Sequence, residues 1–93
     1  MAHAILFNIP GMTQEIYDRT LGPIDEAGRD HIHSRSVHVA FETPDGWSVL
    51  DVWESMEEFE AFGQTLMPIL AEAGIDLDSV EPQICPVHNS IVL

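Results

Sequence analysis

The sequence predicts an α+β fold in which four strands and two helices follow one another in the order β-α-β-β-α-β. Two segments repeat apolar residues at steps of three and four, as amphipathic helices do. Four further apolar runs are short and are bounded by Gly and Pro turn signals, as strands are. The length of 93 residues suits one small core, so we expect residues 1–93 to form a single domain.

The N-terminal third of the chain predicts a strand and then a helix. Residues 2–9 are rich in apolar side chains and end at the turn signal Pro10-Gly11, so we expect a strand there. Thr13 is a suitable N-cap, which places the start of the helix at about this residue. Pro23 is expected to kink or interrupt the helix. The apolar positions on one helical face are Ile16, Tyr17, Leu21, Ile24 and Ala27.

The middle of the chain predicts a β-hairpin. Residues 34–43 and 47–54 are both rich in β-branched and aromatic side chains, so each is expected to be a strand. Only the tight turn signal at residues 44–46 separates them. A connection this short predicts that the two strands pair antiparallel.

The C-terminal part predicts a second helix and a last strand. Ser55 and Glu58 form an S-x-x-E capping box, and Gly74 is a typical C-terminal stop. Residues 80–93 then have the composition of a strand. Its prolines, Pro82 and Pro86, have no N–H to donate to a neighbour, so we expect this strand at a sheet edge.

This order of elements is the ferredoxin-like, or split β-α-β, pattern, in which two helices cover one face of a four-stranded antiparallel sheet. Alternate side chains of a strand point to opposite faces. In the first strand Phe7 and Ile9 point one way and Leu6 the other, so both faces of the sheet are apolar. Because two helices bury one face only, we expect a homodimer in which a second copy covers the other face.

The segment DGWSVLDVWESMEEFEAF (45–62) and the closing PVHN (86–89), together with the element order, resemble the dimeric α/β-barrel superfamily. Within it, the chain resembles small bacterial proteins similar to antibiotic biosynthesis monooxygenases. The resemblance implies the fold and the dimer. Its members include cofactor-free oxygenases, haem-degrading enzymes and small-molecule isomerases, with a pocket between the sheet and the helices or within the barrel.

At one position the chain departs from the sequence pattern of these proteins. Many monooxygenase-like members follow the strand tryptophan with a helix histidine in the pattern W-x-x-x-x-x-(L/F)-x-x-H. Trp53 and Phe59 match this pattern, but Phe62 stands at the histidine position. The role of that histidine, including haem ligation, therefore does not transfer to this chain, and we expect no cofactor.

The charge balance limits the partners. Lys and Arg total 3 and Asp and Glu total 16, which gives a net charge of −13. Nucleic acids and anionic membranes are bound through Lys and Arg, so neither is an expected partner. A small apolar or aromatic ligand remains suitable. The N-terminus has no basic segment before its short apolar run, and we expect a cytoplasmic protein.

Strand alternation predicts which polar side chains meet. The sets Val37, Val39, Phe41 and Leu50, Val52 are expected to face the helices. His38 and Asp51, on the opposite parity, are then expected in the barrel interior. We expect one polar group from each strand to converge there, with aromatic walls. The predicted catalytic residues are His38, Asp51 and His88, and the predicted substrate-binding residues are Asn8, Tyr17, Trp47 and Trp53.

An Asp beside a His orients the imidazole and gives a general base that works near neutral pH. In a cofactor-free oxygenase of the kind that the resemblance implies, such a base, His38 with Asp51 or else His88, would remove a proton from an aromatic or enolic metabolite, and the carbanion would react with O₂ without metal or flavin. Two alternatives stay open. In the first, His38 and Asp51 only satisfy each other's hydrogen-bonding groups inside a hydrated dimer interface. In the second, the protein is a non-catalytic dimeric module that binds a ligand or a protein. Tyr17 faces either the pocket or the core.

A metal site is not predicted. His31 and His33 lie two residues apart, close in sequence to Asp30 and His38. Zinc needs three or four ligands in a fixed geometry, which this spacing does not supply. One cysteine, Cys85, allows neither an internal disulfide nor a Cys-based zinc site. We therefore interpret His31 and His33 as exposed loop residues.

Overall fold

The computed structural model describes residues 2–28 and 33–91. In these residues the order of strands and helices is the predicted one. The elements are β1 (His3–Pro10), α1 (Gln14–Gly28), β2 (Arg35–Thr43), β3 (Gly46–Trp53), α2 (Met56–Glu72), a 3₁₀ turn (Leu77–Ser79) and β4 (Glu81–Pro86).

The four strands form one antiparallel sheet in the order β2-β3-β1-β4, which confirms the ferredoxin-like prediction. As expected, β4 is an edge strand. The two helices pack on one face of this sheet and against each other. No helix in the described part of the chain is long and apolar enough to cross a membrane.

The Ser55 half of the predicted capping box and the predicted C-terminal stop of α2 are present in the structure, whereas the Glu58 Oε1 is buried without a hydrogen-bond partner among the described residues. The Ser55 side chain accepts a hydrogen bond from the backbone N–H of Glu58 at 3.3 Å, as an N-cap does. Beyond the C-cap residue Ala73, Gly74 adopts a φ of +90°, a conformation that ends helices and suits glycine. Local side-chain chemistry therefore fixes both ends of this helix.

The helix α1 runs through Pro23 without interruption, which contradicts a break at this residue. Pro23 is exposed, so the carbonyl that lacks a donor at this point of the helix can turn to water. The strand β4 ends at Pro86 and not at residue 93, because Pro86 pairs with His3, where β1 begins. Beyond it, the Val87 N–H to Ala2 carbonyl bond of 2.9 Å continues the pairing.

The helix-covered face carries the largest side chains of the sheet. Trp53 is fully buried, and its ring lies 5.7 Å from that of Phe59 and 5.4 Å from that of Phe62, both on α2. On the opposite face, which we call the open face, Val39 is 47 % exposed and Phe41 is 43 % exposed. The core between sheet and helices is formed by Ile5, Phe7, Ile9, Met12, Trp47, Val49, Trp53, Phe59, Phe62, Leu70, Ile75 and Val80.

The predicted assignment of faces is wrong. The register pairs Asp51 with both Ile5 and His38, so these three side chains share the helix-covered face. The side chains expected against the helices lie on the open face: Val37, Val39, Phe41, Leu50 and Val52. The physical reason is area, because burying the indoles of β3 stabilises the fold more than burying the smaller aliphatic groups of the other parity.

Gly46 begins β3 at a point where two strands approach closely. Its φ is +151°, and a Cβ atom there would lie 2.9 Å from the Ile9 carbonyl oxygen and 3.1 Å from the Pro10 Cα. Both neighbours are backbone atoms, which cannot move without disturbing β1. Glycine is therefore required both by conformation and by space.

We predict that Gly46→Ala lowers the free energy of unfolding by about 1–3 kcal/mol, because the backbone is strained and the new methyl group clashes. The control is Gly63→Ala in α2, where a Cβ would meet nothing within 4 Å. That change should raise the free energy of unfolding by up to about 1 kcal/mol, since alanine is the better helix former. Urea denaturation measures both, and equal effects of the two substitutions would contradict this account.

Candidate functional site

Three side chains from the sheet form a hydrogen-bonded group beneath α1. Asp51 on β3 is 2 % exposed and faces its register partner, His38 on β2. The His38 Nδ1 lies 2.6 Å from the Asp51 Oδ1, and the Trp53 indole N–H donates to the Asp51 Oδ2 at 3.3 Å. Each oxygen of the buried carboxylate therefore has a donor, which is the condition for burying such a group.

The hydrogen bond to Asp51 decides which nitrogen of the neutral His38 imidazole carries the proton. The Asp51 carboxylate only accepts, so His38 carries its proton on Nδ1 and leaves a lone pair on Nε2. The Tyr17 Oη lies 2.7 Å from this Nε2. The Tyr17 O–H therefore donates to His38, and a continuous chain runs from phenol to imidazole to carboxylate.

The Tyr17 ring is positioned by β3 as well as by its own helix. It stacks on the Trp47 ring with centroids 5.2 Å apart and an interplanar angle of 29°. Its plane is also nearly parallel to the His38 ring, at 12° and 6.3 Å. Tyr17 thus joins α1 to both strands of the hairpin and is held between two rings.

A cavity of about 60 Å³ lies between the sheet and the two helices. Nine of its fifteen lining residues are apolar, and its polar groups lie together on the side of β2 and α1. Leu21 is 36 % exposed and Asp25 is exposed, so the cavity opens to solvent on this side of α1. The polar lining residues are Tyr17, Thr20, Asp25, Arg35, His38 and Asp51.

Arg35 is the one cation that lines the cavity in the described part of the chain. Its guanidinium carbon lies 6.0 Å from the centroid of the Trp53 ring and 5.7 Å from that of Phe62, which is the range of cation–π contacts. Phe62, at the position where the resemblance expects a histidine, is 3 % exposed and forms part of the cavity wall. It therefore packs and supports Arg35, and has no ligand atom to offer a metal.

Burial raises the pKa of the Tyr17 phenol above its ordinary value of 10.0. The positive charge of Arg35 acts in the opposite direction, and the carboxylates of Asp51, Asp25 and Asp18 add to the effect of burial. The phenol is therefore protonated at neutral pH and is present as a hydrogen-bond donor.

The structure does not bring all the predicted site residues together. Asn8 lies on the open face, where its Oδ1 accepts a hydrogen bond from Ser48 at 2.8 Å. His88 is exposed, beyond the end of β4, and does not line the cavity. The expected convergence is therefore wrong for these two residues. Trp47 and Trp53 contact the hydrogen-bonded group, but both belong to the core.

Of the loop residues considered as metal ligands, only some belong to the described part of the chain. His33 is exposed, whereas Asp30 and His31 lie outside the described residues. Among residues 2–28 and 33–91, no group of three or more His, Cys, Asp or Glu side chains is arranged to hold a metal ion.

Sequence reasoning missed Arg35, and the reason is geometric. In a regular strand, residues three apart face opposite sides, so Arg35 and His38 would be separated. The structure has a register shift between Arg35 and Val37, which places Arg35 opposite Trp53 and on the helix-covered face. A bulge of this kind changes the parity of every residue before it. No turn residue or motif in the sequence marks it.

The chain has a single tyrosine, so ultraviolet titration reads Tyr17 alone. We predict a midpoint above 10.0 in the folded protein, and a still higher midpoint in Arg35→Gln. Arg19→Gln, which alters an exposed arginine of α1 away from the cavity, should leave the midpoint unchanged. Circular dichroism at each pH verifies that the chain is folded, and a midpoint at or below 10.0 in folded protein would contradict the account.

The same shift predicts a pH dependence of stability. A raised pKa in the folded state means that the unfolded chain loses the Tyr17 proton first as the pH rises. The contribution of the Tyr17 proton to the free energy of unfolding is fully present below the pKa of the unfolded chain. It is lost as the pH rises through the pKa of the folded protein. Tyr17→Phe should remove this part of the alkaline loss of stability.

The similarity of the chain to known proteins is a similarity of fold. No protein-family model matches the chain, and no curated protein matches it. The fold is similar to that of Rv0793 from Mycobacterium tuberculosis, with a TM-score of 0.58, 10% sequence identity and 98% of each chain covered. It is also similar to a proposed antibiotic biosynthesis monooxygenase from Chloroflexus aurantiacus, with a TM-score of 0.58 and 17% identity over 99% of this chain and 100% of that one.

A third similar structure is Atu4242 from Agrobacterium tumefaciens, with a TM-score of 0.59, 15% identity and complete coverage of both chains. Identities this low carry information about the fold alone. The neighbours span the whole chain and include proteins described as monooxygenases of this type. The chain therefore has the ferredoxin-like fold of the antibiotic-biosynthesis-monooxygenase-like proteins, which confirms the predicted resemblance at the level of the fold.

Proposed function

We propose that this protein binds a small molecule in the cavity between its sheet and its helices, and that His38 with Asp51 is the base of a cofactor-independent, monooxygenase-like reaction. The substrate class is an aromatic or enolic metabolite. One observation carries the proposal: a phenol–imidazole–carboxylate chain stands at one side of a cavity whose other walls are apolar. Ligand pockets combine such walls with a few aimed polar groups.

The geometry suits proton removal. Asp51 holds the proton of His38 on Nδ1, so Nε2 carries the lone pair, which accepts the Tyr17 O–H, and is the basic atom. Asp51 also stabilises the imidazolium that forms when Nε2 takes a proton, because the carboxylate stays hydrogen-bonded to Nδ1. The loss of a substrate proton leaves a carbanion, which forms a bond to O₂ as the co-reactant. The proton held by His38 then returns to the terminal peroxide oxygen, giving a neutral hydroperoxide.

The size of the cavity limits the ligand. A closed apolar cavity of about 150 Å³ accommodates benzene. The cavity here measures about 60 Å³ but is open beside Leu21 and Asp25. A short enol fits inside, whereas an aromatic ligand places its reacting end inside and the rest in the opening.

The proposed binding and reaction are tested together. We expect a set of small phenols and enols to raise the melting temperature, because ligands that bind only the folded state stabilise it by about 2.7 kcal/mol at 100 times their Kd. For ligands that bind, an oxygen electrode measures O₂ uptake. His38→Gln and Asp51→Asn should abolish uptake while the fold, followed by circular dichroism, persists.

The matched control is His88→Gln, which alters the exposed histidine outside the cavity and should leave O₂ uptake unchanged. Loss of uptake in His88→Gln with retention in His38→Gln would contradict the assignment of the base. Failure of every phenol and enol to shift the melting temperature would contradict ligand binding itself.

We also propose that a second copy of the chain covers the open face. Val39 and Phe41 lie on the edge strand β2 with exposed fractions of 47 % and 43 %, beside the apolar residues Leu50 and Val52 of the neighbouring strand β3. Contiguous apolar surface of this kind is typical of interfaces. This exposure is also the observation that favours the second candidate function, a non-catalytic dimeric module, which would dimerise without consuming O₂ with any ligand.

We expect light scattering to give the mass of two chains for the wild-type protein. Phe41→Glu should give the mass of one chain, because a charge within the interface would be buried without a partner. Leu77→Glu is the matched control, since Leu77 is 37 % exposed but lies on the 3₁₀ turn outside the sheet. A wild-type monomer, or a dimer unaffected by Phe41→Glu, would contradict the proposed interface.

A further inference from the structure

The basic atom of the site is already occupied. His38 donates its Nδ1–H to Asp51, so Nε2 is the one nitrogen that can take a proton, and the Tyr17 O–H lies on it at 2.7 Å. A ligand in the cavity therefore cannot reach Nε2 unless Tyr17 moves, and Tyr17 is stacked on Trp47. The ligand instead meets the phenol oxygen of Tyr17, which lines the cavity.

We propose that Tyr17 relays a proton from the ligand to His38, and that Arg35 stabilises the ligand oxyanion that results. The ligand is then a neutral O–H acid, a phenol or an enol, that ionises inside the cavity. This inference rests on the proposed function, because it requires a ligand in the same cavity. It adds two roles, a catalytic one for Tyr17 and a charge-stabilising one for Arg35.

The relay is a double proton transfer without oxidation or reduction. The ligand O–H bond breaks and its proton forms a bond to the Tyr17 Oη, while the ligand oxygen keeps the electron pair. At the same time the original Tyr17 proton moves to the lone pair of the His38 Nε2. The products are a ligand oxyanion, a neutral phenol and an imidazolium held by Asp51. The net charge of the site is unchanged.

Charge explains why the ligand should arrive neutral. The chain carries a net charge of −13, so an anion is repelled before it reaches the cavity. Inside the cavity the balance is local: Arg35 from β2 faces Tyr17 as a cation, and the carboxylates that act on Tyr17 are Asp51 on β3 and Asp18 and Asp25 on α1. The residues that α2 contributes to the lining are apolar.

Two further features suit a relay. Tyr17 is protonated at neutral pH, so it passes a proton on while accepting another and does not rest as an anion that would repel the ligand oxyanion. The His38 side chain is 28 % exposed, so the imidazolium can exchange its proton with water and reset the chain.

The test uses 4-nitrophenol, whose anion absorbs visible light, and its methyl ether 4-nitroanisole, which has no proton to give. With wild-type protein we expect 4-nitrophenol to bind with its apparent pKa lowered by about 1 unit or more, the effect of a nearby opposite charge. In Tyr17→Phe the lowering should be smaller, because the proton has no relay to His38 and only the charge of Arg35 still stabilises the anion. In Arg35→Gln the lowering should be smaller, and Arg19→Gln should match the wild type.

The outcomes separate the relay from ligand binding. If 4-nitrophenol binds but its pKa is unchanged, or is lowered equally in Tyr17→Phe, the relay is overturned while ligand binding stands. If neither probe binds, the relay and the proposed ligand site both fail. Should Tyr17→Phe not fold, His38→Gln takes its place, because glutamine accepts no proton and must also reduce the lowering if the relay exists.

Discussion

The hydrogen bond between His38 and Asp51 is the contact on which the rest of the site depends. A carboxylate that is 2 % exposed is stable only when donors satisfy it, and here His38 and the Trp53 indole satisfy one oxygen each. The bond fixes the proton of His38 on Nδ1, and Nε2 then accepts the Tyr17 O–H, which ties α1 to the sheet. The cavity lies where α1 meets the sheet, so the same hydrogen bonds determine its shape and its chemistry.

Polar and apolar side chains are distributed unusually between the two faces of the sheet. The side under the helices holds a carboxylate, an imidazole and a guanidinium among its aromatic rings, whereas the open face presents Val39 and Phe41 to solvent. For an isolated chain this distribution is costly, since apolar area stays wet while charged groups lose water. The proposed second copy over the open face would remove the first cost, and the proposed ligand would interact with the polar groups that carry the second.

Much of this fold can be predicted because its signals are local. The Ser55 cap and the Gly74 stop define α2, and the two-residue turn of the hairpin places His38 opposite Asp51. The faces could not be predicted, because the packing of Trp53 against α2 depends on residues far apart in the sequence. The contact between Tyr17 and His38 has the same origin, since it depends on where α1 crosses the sheet and not on any motif.

The register shift in β2 has a consequence for how related chains are compared. In a regular strand the residue opposite Trp53 would be Ser36, and a neutral hydroxyl would stand in the cavity wall in place of a guanidinium. The charge of the cavity therefore depends on the pairing of the backbone as well as on the choice of side chain. Two homologues with the same residues in β2 would differ in ligand preference if one lacked the bulge, and a sequence alignment would present them as equivalent.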